Sequence, residues 1–288
     1  MPDINEQELA SQYGYAMSLF KSNPELEGLF NQAVAETWTP DKFQARLRAT
    51  NWYKTTSETA RNAQVLKSTD PKTYQANVSQ VRARVGILAT EYGANMTAAA
   101  MNKFAESAYQ FGYDDNQIRK QLASYIKTQS GRLTGTAGQW EREWRQHAAD
   151  MGLTYSASQY RSWARNVASG RSTVEDVKSR IGVTAASAYP HLKDRIQAGE
   201  TLADIAEPYK QTMSQLLEVN PEAVTLKDPM LKKALAVKDK DGKPTMQTLY
   251  DFENTVRNDQ RWLKTNNAQD EAMNVTRRVL TDMGVLGG

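Results

Sequence analysis

From Gly93 onward the sequence matches itself at an offset of 59 residues, the distance from Gly93 to Gly152, and the match runs on without a gap. The offset sets Ala98 against Ala157, Phe104 against Trp163 and Ala105 against Ala164. It also sets Ala108 against Val167, Ile118 against Val177 and Leu122 against Ile181. Apolar residues recurring in one register over such a stretch mark a duplicated structural unit. The beat extends towards the N-terminus, where Leu29 precedes Phe43 by the same 14 residues that separate Phe104 from Ile118 and Trp163 from Val177. A second apolar residue follows four places later in each case, at Leu47, Leu122 and Ile181. A C-terminal copy keeps Phe252 and Val256 behind a longer loop, Lys238-Asp239-Lys240-Asp241-Gly242-Lys243-Pro244. A short signature closes a helix-like stretch four times: Ser11-Gln12-Tyr13-Gly14, Thr90-Glu91-Tyr92-Gly93, Ala149-Asp150-Met151-Gly152 and Thr281-Asp282-Met283-Gly284. A glycine just past the last helical turn suits a left-handed cap.

The repeated unit reads as helical. Asn23-Pro24, Thr39-Pro40, Asp70-Pro71 and Asp228-Pro229 each place a capping side chain before a proline whose fixed φ suits a first turn. Between Thr73 and Leu88, Val78, Val81, Val85 and Leu88 form one apolar stripe at helical spacing. No segment alternates apolar and polar residues with β-branched enrichment, so strands are not expected. The sequence therefore predicts an all-α protein of tandem helical-hairpin repeats forming two packed halves. The run Ser130-Gly131-Arg132-Leu133-Thr134-Gly135-Thr136-Ala137-Gly138 is the loosest segment. It places an N-terminal half at 1–130 (units about 1–93 and 94–130), a Gly/Thr-rich linker at 131–138 and a C-terminal half at 139–288 (units about 139–199 and 200–288).

Composition narrows the chemistry. The absence of cysteine excludes disulfides, thiolate zinc sites, iron–sulfur clusters and cysteine nucleophiles. A mean hydropathy of −0.68 and no long apolar run predict no membrane span, and the acidic, polar start carries no expected secretory signal. Lys and Arg number 36 against 33 Asp and Glu, and the two signs are interspersed rather than segregated. A nucleic-acid binder would concentrate basic residues on one face. The densest basic stretch, from Lys232 to Lys243, is broken by Asp239 and Asp241 and reads as a solvated loop.

Catalytic constellations are scarce. His147 and His191 are the only histidines, 44 residues apart and without neighbouring ligand spacing, so no metal or other cofactor is expected. The glycines at 131, 135 and 138 lack the preceding strand and following lysine–hydroxyl pair of a phosphate loop, and no serine stands in a nucleophile elbow. Glu106-Ser107 superficially resembles the Glu-Ser pair of lytic transglycosylases, yet the repeat sets Arg165-Asn166 in its place and no glycine-rich substrate motif follows. A surface helix residue is the simpler reading of Glu106. Asp114 or Asp115 is expected to cap the next helix, where Ser172 or Thr173 stands in the following copy. Phe104/Trp163 and Trp52/Trp262 occupy matched positions and read as core anchors. Trp140 and Trp144, four apart on one helical face, are the candidate interface residues, with core packing as the alternative.

Two runs of residues carry a family resemblance. The first comprises Tyr13-Gly14, Asn23-Pro24-Glu25-Leu26, Phe30, Trp38-Thr39, Phe43-Gln44-Ala45, Leu47-Arg48 and Asn51-Trp52-Tyr53-Lys54. The second comprises Gly199-Glu200-Thr201-Leu202-Ala203-Asp204-Ile205-Ala206, Asn220-Pro221, Asp251-Phe252 and the closing Leu280-Thr281-Asp282-Met283-Gly284. Together they resemble helical-repeat structural proteins of tailed bacteriophages that infect actinobacteria. The resemblance implies a non-enzymatic virion component of tail, connector or particle interior, made in the host cytoplasm. It would be docked on other virion proteins or assembled as a homo-oligomer. The alternatives are a virion-associated peptidoglycan-active enzyme and a nucleic-acid-binding internal protein.

Overall fold

The structure is a computed structural model and describes residues 5–283. It is all-α, with seventeen α-helices and one two-stranded hairpin among the described residues. The helices are α1 (Glu6–Gln12), α2 (Met17–Lys21), α3 (Pro24–Ala35), α4 (Pro40–Ala49), α5 (Asn51–Thr55), α6 (Glu58–Thr69), α7 (Pro71–Tyr92), α8 (Ala98–Phe111), α9 (Asp115–Leu122), α10 (Gly135–Asp150), α11 (Ala157–Ala168), α12 (Val174–Ala188), α13 (Lys193–Gln197), α14 (Leu202–Leu217), α15 (Pro229–Leu235), α16 (Leu249–Arg257) and α17 (Asn266–Asp282). Strands β1 (Val237–Lys238) and β2 (Pro244–Thr245) pair antiparallel across the lysine-rich loop. The chain divides into two compact units. One holds the residues up to Gln139 together with Ala164–Arg171; the other holds Trp140–Trp163 and the residues from Ser172 on.

Local chemistry explains where the helices begin. Asn23, Thr39, Asp70 and Asp228 each accept a hydrogen bond from a first-turn N–H, with proline in the first helical position. Asp114 caps α9 in a reciprocal box with Gln117, and Thr173 caps α12 in the same way with Asp176. The 59-residue offset carries the start of α8 onto that of α11 and the start of α9 onto that of α12. Ala105 and Ala164, Ile118 and Val177, and Leu122 and Ile181 are all fully buried. Of the four glycines in the recurring signature, those at 14, 93 and 152 have positive φ; Gly284 lies outside the described residues.

In the first unit, α1 to α5 enclose an aromatic core. Tyr13 stacks on Phe43 at 4.2 Å and Phe20 on Phe30 at 4.7 Å, and the Tyr13 hydroxyl donates to the buried Trp38 carbonyl. The long helix α7 then packs against α6, α8 and α9. Its stripe supplies Val85 and Leu88 to a cluster with Ala108, Ile118 and Leu122, while Val78 joins Tyr74, Ala63 and Ala105.

The Gly/Thr-rich segment differs from the linker expected at 131–138. Gly135 to Gly138 form the first turn of α10, and Thr134 lies against the end of α7. A Cβ on Gly93 (φ +71°) would lie 2.1 Å from the Thr134 carbonyl oxygen. A Cβ on Gly135 (φ +57°) would lie 2.4 Å from the Glu91 oxygen. The glycines are there because two backbones touch, a tertiary cause that composition alone reads as looseness.

In the second unit, Tyr209 of α14 meets Phe252 of α16 edge-on at 5.2 Å, and its hydroxyl donates to the Gln247 carbonyl. Leu202, Ile205, Met213, Leu231, Leu235 and Val256 are buried in the same unit.

Candidate functional site

Glu106 was the sequence's only carboxylate with a catalytic look, and its surroundings give it another role. The Lys67 ammonium lies 2.7 Å from its Oε1, and the buried Tyr74 hydroxyl donates to the same oxygen at 3.2 Å. The lysine hydrogen bond, above all, holds the Glu106 carboxyl below its ordinary range. Burial, and then the neighbouring carboxylate, push the Tyr74 hydroxyl up to about 12. A general acid for glycoside cleavage needs the opposite shift, a carboxyl kept protonated. Glu106 is arranged as an ion-pair partner that ties α6 and α7 to α8.

The remaining sequence candidates separate. His147 lines an open groove of about 920 Å³ with Met151, Lys178, Val183, Ala186 and Ile196. His191 instead donates from Nε2 to the Leu235 carbonyl at 2.7 Å. Asp115 pairs with Arg84 at 2.5 Å while Asp114 serves the cap. Among the described residues no three His, Asp or Glu side chains gather as cation ligands, and no helix is long and apolar enough to cross a membrane. Lys238, Lys240 and Lys243 are exposed on the β1–β2 hairpin.

Trp144 requires a correction. The sequence offered Trp140 and Trp144 as an exposed aromatic pair, but Trp144 has no accessible surface. Its ring stands edge-on to Trp163 at 6.0 Å, and Trp163 in turn meets Tyr155 at 4.8 Å and Tyr160 at 5.5 Å. Half-buried Trp140 lies 6.2 Å from Trp144 on the flank of this cluster. Beside it, Arg145 donates to the buried Glu141 carboxylate at 2.6 Å and sets its guanidinium 4.3 Å from the Tyr160 ring. The face of α10 that carries Trp144 is core. Trp52 is buried as expected, with its indole N–H on Gln64, whereas Trp262 is half-buried in a short 3₁₀ turn.

Exposed apolar side chains occur elsewhere, as at Ile87, Tyr250 and Leu263, but several fall together on α17, which sequence reasoning passed over. Its start is firmly held. Glu218, in the left-handed region at φ +54°, accepts from the backbone N–H groups of Asn266 (3.1 Å) and Asn267 (2.7 Å). Those bonds pull its carboxyl below the ordinary range. Arg261, just upstream, bridges Asp228 and Asp259. Beyond this anchor only Ala268 is buried. Met273, Val275, Val279 and Met283 are 54%, 56%, 49% and 70% exposed. At 100° per residue they fall with Ala272, Leu280 and the polar Gln269 and Thr276 on one arc of roughly 160°. Asp270, Glu271, Asn274, Arg277, Arg278 and Asp282 occupy the rest of the helix. An exposed apolar side of this kind is a surface on which a partner helix or protein can pack. No family of known proteins, no curated protein and no solved structure matches this chain.

Proposed function

We propose that the protein is a non-enzymatic structural and interaction component of a tailed phage particle, with α17 as its docking helix. The observation that carries the interaction reading is the uncovered apolar arc of α17 above an anchored first turn. The particle to which it belongs is suggested by the sequence resemblance. The ion-paired state of Glu106 agrees with a scaffold role for the one carboxylate that resembled a catalytic acid. The test is mass spectrometry on density-purified particles of the phage that encodes the chain. Peptides of the chain at a constant copy number per particle are expected. Their absence from purified particles, with the protein present in the infected-cell lysate, overturns the proposal.

A further inference from the structure

We infer that α17 pairs with α17 of a second copy of the chain, antiparallel, across a two-fold axis near Asn274. The inference rests on the reading of α17 as an interaction helix and names its partner. Ala268, Ala272, Val275 and Val279 succeed one another at spacings of four, three and four, the step of a coiled-coil seam. Turning one copy antiparallel makes each of the two central seam layers an alanine against a valine. Ala272 meets Val275 of the second copy and Val275 meets its Ala272, while Val279 packs at either end of the seam, short of Ala268, which its own chain already covers. Small against large in the two central layers fills the seam evenly.

The flanks point the same way. In an antiparallel pair, Glu271 of each copy stands beside Arg278 of the other, giving two symmetry-related ion pairs, and Gln269 stands beside Thr276 on the opposite edge. A parallel pair would set valine against valine, alanine against alanine, Glu271 beside Thr276 and Arg278 beside Met283, with no ion pair. Met273 and Leu280 widen the apolar arc on the Gln269–Thr276 side, so the second helix is cradled there as well. A helix of 17 residues is roughly 25 Å long, and two such helices bury on the order of 1,000 Å² in total. That is the lower end of specific interfaces, so a reversible dimer with a dissociation constant on the order of 10 μM is expected.

Sedimentation equilibrium of the full chain from about 1 to 200 μM tests this, with far-ultraviolet circular dichroism confirming that each variant is folded. The wild type is expected to shift from monomer to dimer across that range. Val275→Asp abolishes the shift. Glu271→Arg and Arg278→Glu each weaken it about tenfold by setting like charges together, and the double reversal Glu271→Arg/Arg278→Glu restores it. A wild type that stays monomeric, a dimer indifferent to Val275→Asp, or a double reversal as weak as the single ones overturns the inference. A monomeric chain that is nonetheless found in purified particles removes the self-pairing and leaves the virion reading standing. A dimer with the expected charge pattern that is missing from particles does the reverse.

Discussion

Replacing Trp144 by alanine separates the two roles a tryptophan on α10 can have. With no accessible surface and edge contact to Trp163, Trp144 contributes as a core side chain. Truncating a buried tryptophan costs about 3–5 kcal/mol through lost transfer energy and the cavity left behind. Its indole N–H reaches the Val174 carbonyl only at 3.4 Å, a long bond that adds little to this. Against the ~5–15 kcal/mol typical of a whole domain, that loss removes about a fifth of the stability or more. With a urea dependence of about 2 kcal/mol per molar, the unfolding midpoint moves down by about 2 M. Trp144→Phe keeps an aromatic ring in the cluster and is expected to cost about 1–2 kcal/mol, near 1 M or less. The assay is urea unfolding followed by circular dichroism at 222 nm, since emission from the other tryptophans would change with the substitution itself. A Trp144→Ala protein whose midpoint falls by less than about 0.5 M would refute the core assignment. If that protein also failed to assemble, Trp144 would return as an interface anchor.

The touching backbones at Gly93 and Gly135 predict that Gly93→Ala destabilises by several kcal/mol, because positive φ and a Cβ 2.1 Å from a carbonyl oxygen add their costs. Gly86→Ala, inside α7 with open space around its Cβ, is the control and should stabilise by about 0.5–1 kcal/mol in the same urea titration. Equal effects at the two sites would show that the α7–α10 approach is wrong. The depressed Glu106 carboxyl contributes stability that is present above its ordinary value of 4.5 and is lost as pH falls through the lower folded value. Glu106→Gln should therefore be less stable than wild type at pH 7, by under about 1 kcal/mol because the pair is partly solvated, and indistinguishable from it near pH 2. A difference that widens on acidification would contradict the ion pair with Lys67.

Helix starts were legible because their causes are local. A proline with a fixed φ and a side chain that accepts a nearby N–H need no tertiary partner, so Asn23, Thr39, Asp70 and Asp228 cap where the sequence placed them. The all-α class was legible for the same reason. The failures share the opposite cause. Gly131 to Gly138 carry the composition of a linker, yet a glycine demanded by a close approach, as Gly135 is at 2.4 Å from the Glu91 oxygen, and one with open space around it, as Gly131 is, are written with the same letter. Asp241-Gly242 is a recognised turn signal. The hairpin β1–β2 forms on either side of it, where the lysine-rich composition reads only as a solvated loop.

The same limit governs the candidate site. Trp140 and Trp144 sit about 40° apart around α10, so spacing alone could not say which of them faces the core. Fold packing decided it, burying Trp144 fully and leaving Trp140 at the edge. The stripes of α7 and α17 make the general case. Val78, Val85 and Leu88 repeat at helical spacing and are covered by the first unit, whereas Ala272, Val275 and Val279 repeat at the same kind of spacing and are left in water. Periodicity reports that a helix has an apolar side; it does not report whether its own chain supplies the cover. That missing cover is the observation on which the proposed docking role of α17 rests. The pattern of Glu271 and Arg278 around the seam is what turns it from an unpaired surface into a claim about a particular partner.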